Sequence, residues 1–271
     1  MTLPFKAVAV DMDGTFLDDN HEYDAKEFDR ILTELERQNV QFIVASGRPY
    51  ARLKEDFKGF TDRIDFVSVN GARLIAHDKE VGLTPMDKEL VLQLIDYVTS
   101  RYPHVTTMVY GPKRAYLLAS DPKEDKAFLS YFAKDTAEVA SWQDLPDKEY
   151  VEITFNCSGK EAHAIETGFN NEHGQVISAF GSADFAVDVN AYGVSKATGL
   201  KEMLAKFGLT SDDLIAFGDG GNDVPMLKLA KYSYAMENGM PVAKETARFV
   251  APKNTESGVF KVLQKYIDES K

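Results

Sequence analysis

The sequence predicts an α/β protein, a parallel-sheet core interrupted by an inserted α+β cap domain. Short apolar runs alternate with helical patterns at both ends of the chain, and the middle switches to paired strand candidates. At both ends, several of the strand candidates are followed directly by polar, glycine-bearing clusters.

Phe5–Val10, Val40–Ala45, Ile64–Val69, Leu214–Phe217, Tyr232–Ala235 and Arg248–Ala251 are short and rich in β-branched or aromatic residues, as buried strands are. Between the first two, Phe28, Ile31, Leu32 and Leu35 fall on one helical face. Asp24 and Glu27 stand where an N-cap and its N3 partner belong. Ala197, Leu200, Leu204 and Phe207 mark a second helix, and Phe260, Leu263 and Ile267 a last one. This alternation requires a parallel, Rossmann-like sheet covered on both faces.

From about Thr84 to Val187 the pattern changes. A helix over Asp87–Arg101 precedes strand candidates Val105–Tyr110, Ala115–Ala119, Val151–Phe155, Gln175–Phe180 and Phe185–Val189. Gly111-Pro112-Lys113-Arg114 joins the first two as a hairpin, and helices are expected near Lys123–Lys134 and Gly159–His173. The expected organisation is discontinuous, with residues 1–83 and 188–271 forming the core and 84–187 the cap.

Composition bounds the partners. Of 271 residues, 44% are hydrophobic and 27% charged, which excludes global disorder. The 31 Lys and Arg against 43 Asp and Glu leave a net charge of −12, so polyanionic nucleic acid and membrane surfaces would be repelled. A small phosphorylated ligand is compatible if cations are concentrated at its site. One cysteine cannot form an internal disulfide, and Cys157 in a strand pattern reads as a small buried hydrophobe. No run approaches the ~18 consecutive apolar residues of a membrane span, and MTLPFKAVAVDMDG lacks a signal-peptide layout. A cytoplasmic protein, monomeric or weakly homo-oligomeric, is expected. The histidines at 21, 77, 104, 163 and 173 show no metal-ligand spacing.

Four clusters carry chemistry. Asp11-Met12-Asp13-Gly14-Thr15 follows the first strand, beyond whose carboxyl end an open parallel sheet binds ligands. Ser46-Gly47-Arg48-Pro49 ends the second strand, where a hydroxyl and backbone N–H groups can receive phosphoryl oxygens or cap a helix. Gly218-Asp219-Gly220-Gly221-Asn222-Asp223 closes the Leu214–Phe217 strand. Two carboxylates at a helix start would repel an anion, and a hard divalent cation resolves that conflict. The segment is no dinucleotide fingerprint, because Asp223 occupies its third glycine position. Lys196 opens a helix against the macrodipole, which a nearby carboxylate cluster would compensate.

Asp11–Thr15, Ser46, Lys196 and Gly218–Asp223 resemble, in that order, the four motifs of the haloacid-dehalogenase-like phosphatase superfamily. The long interval between Ser46 and Lys196 resembles the Cof-type, class IIB branch, whose α/β cap is inserted between motifs two and three; Asn70-Gly71-Ala72 resembles a further element of that branch. DMDGTFLDDN and FVSVNGA look most like members acting on hexose and pentose phosphates; related members take pyridoxal phosphate or flavin mononucleotide.

The resemblance implies Mg²⁺-dependent hydrolysis of a phosphate monoester through an aspartyl-phosphate. Asp11 would be the nucleophile and Asp13, expected among the other carboxylates, the acid and base. Mg²⁺ would be held by Asp11, the Asp13 carbonyl and Asp219, with Asp223 orienting Lys196 or a metal-bound water. Ser46 and Lys196 would hold phosphoryl oxygens beside the backbone of Gly14 and Gly47. Arg48, Asn70 and Asn222 are expected substrate contacts, with Arg114, Tyr116, Asn156 and Asp184 as further candidates from the cap. A phosphotransferase or phosphomutase would use the same residues, and a phospho-accepting signalling module would have no use for Asp13 or the large insert.

Overall fold

Alternation along Ala7–Val10 sets the layering of the core: Val8 and Val10 join one apolar cluster, Ala7 and Ala9 another. The computed structural model describes residues 2–133, 135–181 and 186–271. Eight strands form the first sheet, in the order Phe249–Ala251, Tyr232–Met236, Leu214–Gly218, Ala7–Val10, Gln41–Ala45, Asp65–Ser68, Arg73–Ala76, Lys79–Leu83. The first six are parallel, and the last two are added through antiparallel pairings. Ala25–Arg37 and Gly258–Ser270 cover the face of Val8 and Val10 through Phe28, Ile31, Leu32, Phe260 and Leu263. Asp24 caps the first of these helices by accepting from the N–H groups of Lys26 and Glu27.

On the opposite face the small side chains of Ala7, Ala9 and Ala216 receive Leu200, Met203 and Leu204 of the helix Lys196–Lys206. Gly71, at φ +106°, lets that helix start close to the sheet, since a Cβ there would stand 2.3 Å from the Ser195 carbonyl oxygen. Lys196 is thereby delivered over the carboxyl ends of the central strands.

The second sheet is built almost entirely within the inserted segment. Its order is Ile177–Gly181, Ala186–Ala191, Glu152–Asn156, Thr106–Tyr110, Ala115–Leu118, Thr136–Val139, antiparallel except for the last pair. Helices Lys88–Thr99 and Gly159–Glu172 pack on one face through Val91, Leu94, Ile165 and Phe169. The expected hairpin closes with Gly111 N–H donating to the Arg114 carbonyl at 2.9 Å. The helix expected to reach Lys134 spans Lys123–Phe132, and both Lys134 and Phe185, the expected start of a strand, lie outside the described residues.

A hairpin and an edge strand are among the elements the sequence reading does not contain. The hairpin Arg73–Ala76 to Lys79–Leu83 turns at His77 and Asp78, with φ 51° and 58°. Two successive left-handed residues suit a tight hairpin, but without a glycine the turn carries no local signal. Thr136–Val139 is a partly exposed edge strand whose pairing with Ala115–Leu118 is set at long range.

Candidate active site

The strands Ala7–Val10, Gln41–Ala45 and Leu214–Gly218 are neighbours, so the clusters that follow them share one edge of the sheet. Asp11 N–H continues the ladder by donating to the Phe217 carbonyl at 3.0 Å, which fixes Asp11 beside the Gly218–Asp223 loop. Gly14 turns the chain at φ +73°, and a Cβ there would come within 2.5 Å of Asp219 Oδ2. The turn is tied from outside by Asn238 Nδ2, which donates to the Gly14 carbonyl at 2.8 Å.

Lys196 is fully enclosed, and its ammonium donates to Asp11 Oδ1 at 2.6 Å and to Asp223 Oδ1 at 2.7 Å. Burial alone would lower its pKa, but the charges of Asp11 and Asp223 outweigh that and hold it above the usual lysine range. Asp223 Oδ2 accepts from the N–H groups of Asp219 and Gly220, each at 2.9 Å, so both of its oxygens are engaged. Asp219 Oδ1 accepts from Thr15 Oγ1 at 2.9 Å. Asp11 Oδ2 and Asp219 Oδ2 stand clear of these bonds.

Asp11, Asp219 and Asp223 each offer an oxygen within 4.8 Å of the others. Burial and the Asp223 charge push the Asp219 carboxyl up to about 6, and Asp11 is raised well above the usual carboxylate range by burial and Asp223. Both shifts arise first from burial and then from the negative charge gathered around one ammonium. An all-oxygen donor set short of positive charge is what a hard divalent cation requires, and the cluster is characteristic of a Mg²⁺ site.

The geometry of Asp13 corrects one expectation. Its carboxyl lies near enough for its charge to raise that of Asp219, but it is not one of the three that converge. It is half exposed and turned toward Arg48, whose Nε donates to Oδ2 at 2.9 Å and whose Nη2 pairs with Oδ1, and toward His21, whose Nδ1 lies 3.1 Å from Oδ1. Arg48 is also bonded to Asp56, Nη1 to Oδ2 at 2.7 Å.

Ser46 is buried at the end of Gln41–Ala45 and its hydroxyl accepts from Arg48 N–H at 3.1 Å. Asn70 lies against Gly47, where an added Cβ would stand 3.3 Å from Asn70 Oδ1. Asn222 Nδ2 donates weakly to that oxygen at 3.4 Å. Asn70 Nδ2 in turn donates to Glu152 Oε2 of the inserted unit at 3.2 Å, and Asn190 Nδ2 donates to the same oxygen at 3.2 Å. Thus Ser46, Gly47, Asn70 and Asn222 form one floor, with Glu152 and Asn190 above it. Burial and the neighbouring Asp188 raise the Glu152 carboxyl well above its usual range.

Sequence reasoning missed Glu152, Asn190, Asp56 and Asn238. Their strand, helix and loop positions carry no motif, and only their partners reveal them. Among the residues named from the cap, Arg114 pairs with Asp135 and Tyr116 bonds Asp147, both within the inserted unit. Asn156 ends the strand Glu152–Asn156, and Asp184 lies outside the described residues. No helix among the described residues is long and apolar enough to cross a membrane.

A family model described as haloacid dehalogenase-like hydrolase matches residues 8–263. The chain is 28% identical over 265 residues to the 5-amino-6-(5-phospho-D-ribitylamino)uracil phosphatase YbjI of Escherichia coli (strain K12), covering 98% of this chain and 97% of that one. It is 23% identical over 269 residues to the enzyme of the same description, YcsE, from Bacillus subtilis (strain 168), covering 97% and 96%. The crystal structure of SMU.1108c from Streptococcus mutans UA159 superposes with a TM-score of 0.93 at 34% identity, covering 97% of this chain and 99% of that one.

Proposed function

The chain belongs to the haloacid dehalogenase-like hydrolases, in their Cof-type phosphatase branch, and on that footing we propose the part each site residue plays and the substrate class it serves. The enzyme is a phosphatase acting on small phosphorylated metabolites, with an aspartate cluster suited to Mg²⁺ and an aspartyl-phosphate intermediate. The observation that carries the reading is the enclosed Lys196 ammonium between Asp11 and Asp223, with Asp219 beside them, at the carboxyl end of a parallel sheet.

Asp11 is the nucleophile. Its carboxylate oxygen bonds to phosphorus as the bond to the leaving alcohol breaks, and the electron pair stays on the leaving oxygen, which takes a proton from Asp13. In the second half, Asp13 accepts a proton from water, the water oxygen bonds to phosphorus, and the Asp11–phosphorus bond breaks to release inorganic phosphate. Lys196, Ser46 and the N–H groups around Gly14 and Gly47 hold the phosphoryl oxygens. Asp11, Asp219 and the Asp13 carbonyl are the groups to hold Mg²⁺. Asp223, both of whose oxygens are engaged, serves chiefly to orient Lys196. A divalent cation there supplies charge neutralisation for a phosphate dianion, without which three carboxylates and one ammonium leave the site anionic.

Residues 1–83 and 188–271 are the catalytic unit, and 84–187 close over it and select the leaving group. Asn70 and Asn222, bonded to each other in the phosphate floor beneath Glu152, are the groups to meet that leaving group. The substrate class is a sugar or polyol phosphate. The phosphoribityl chain in the name of the 28% identical relative supports it. A cytoplasmic enzyme accords with the acidic chain and its single cysteine.

The test is phosphate release from a panel of sugar, polyol, nucleotide and pyridoxal phosphates with Mg²⁺. Turnover highest on sugar or polyol phosphates, with one phosphate released per alcohol, is expected. Preference for another class would overturn the substrate reading, and phosphate appearing on a second alcohol instead of in solution would overturn hydrolysis.

A further inference from the structure

We propose that Arg48 is a positioning residue for the Asp13 carboxyl and not a ligand of the substrate phosphate, and that Asp56 holds Arg48 to that task. The inference rests on the phosphatase reading above and deepens it.

Asp13 sits in a turn with backbone angles of φ −74° and ψ 127° and a half-exposed side chain. A short side chain on such a turn has several open rotamers, and an acid–base group displaced by an ångström loses much of its effect. Arg48 removes that freedom. Its Nε and Nη2 address the two Asp13 oxygens separately, and a planar fork meeting a planar carboxylate fixes both distance and tilt.

The clamp is itself held. Arg48 Nη1 donates to Asp56 Oδ2 at 2.7 Å, and Arg52 Nε donates to Asp56 Oδ1 at 3.0 Å. The Arg52 guanidinium lies over the ring of Tyr131 from the inserted unit, 4.8 Å from its centroid. The Arg48 side chain is only 8% exposed and the Asp56 side chain 13%, so water competes little for these bonds.

Charge argues the same way. Arg48 and Arg52 together face Asp13 and Asp56, so with Asp13 ionised the cluster is neutral and leaves little net field to attract a phosphate dianion. To bind phosphate, Arg48 would have to leave either the half-exposed Asp13 or the enclosed Asp56, and giving up Asp56 would cost an enclosed carboxylate one of its two cations.

The experiment compares kcat/KM on two substrates of the whole enzyme with Mg²⁺: p-nitrophenyl phosphate, whose phenolate leaves without a proton, and the best sugar phosphate of the panel, whose alkoxide needs one. Because kcat/KM covers the steps through alcohol release, it isolates the acid role. Asp13→Asn sets the size of the full effect. Arg48→Gln is expected to lower kcat/KM for the sugar phosphate ~10²-fold while changing that for p-nitrophenyl phosphate less than about threefold. Asp56→Asn keeps the shape of the pocket and is expected to show the same split at about tenfold, which preserves the test if Arg48→Gln folds poorly. Equal losses on both substrates with a raised KM would make Arg48 a phosphate ligand and overturn the proposal, as would unchanged kinetics in both variants. Failure of the unmodified enzyme to release phosphate from either substrate would instead overturn the phosphatase reading, and the inference with it.

Discussion

Lys196→Met removes an ammonium that donates at 2.6 Å to Asp11 and at 2.7 Å to Asp223, both in the interior. A methionine fills much the same volume, so the perturbation is electrostatic. Deleting one partner of a buried ion pair strands the other, at ~3–5 kcal/mol. In a chain of this size each kcal/mol moves Tm by about 2–4 °C, so a fall of roughly 6–20 °C is expected in EDTA. The sign with pH follows from the raised carboxyls. Asp11 and Asp219, the latter at about 6, bind protons more tightly folded than unfolded. The stability they confer is therefore present in acid and lost as pH rises through those values. Without Lys196 these carboxyls shift further up, so the Tm deficit is larger at about pH 8 than at about pH 5. Mg²⁺ returns positive charge to the cluster and recovers part of the deficit by mass action. Thermal unfolding followed by circular dichroism, with EDTA or Mg²⁺ at both pH values, reads all three effects. A shift under ~2 °C in EDTA at about pH 8, or a deficit larger in acid, would refute the charge-balance reasoning.

Asp11→Asn is expected to lower kcat at least ~10⁴-fold and to leave no acid-stable phosphoenzyme on quenching, since an amide is no nucleophile toward phosphorus. EDTA should silence the enzyme and Mg²⁺ restore it, with apparent Mg²⁺ affinity rising as pH climbs through about 6, where Asp219 gives up its proton. Calorimetric titration should record proton release near that pH, and a pH-independent affinity would rule Asp219 out as a ligand. Gly14→Ala places a methyl 2.5 Å from Asp219 Oδ2 at φ +73°. About 1–2 kcal/mol of stability should go to the backbone, and half-maximal activity should need ~10-fold more Mg²⁺ as Asp219 is pushed aside.

The sequence by itself determined the layered α/β architecture and the order of the reactive clusters. Both are local properties: apolar periodicity chooses strand or helix, and glycine and aspartate after an apolar run mark where a strand ends. Asp11, Ser46, Lys196, Asp219 and Asp223 were legible for that reason, each lying at a strand end or helix start. Tertiary structure alone decided which way the side chains face and whom they meet. Asp13 turns to Arg48 and His21, although its spacing from Asp11 suggests company with the other carboxylates. Asn70 and Asn190 both donate to Glu152 across wide separations in sequence, and the hairpin at His77 and Asp78 closes without a glycine to announce it. Such pairings are free energies between distant residues, set by burial and charge once the chain has folded, and no window of neighbouring residues contains them.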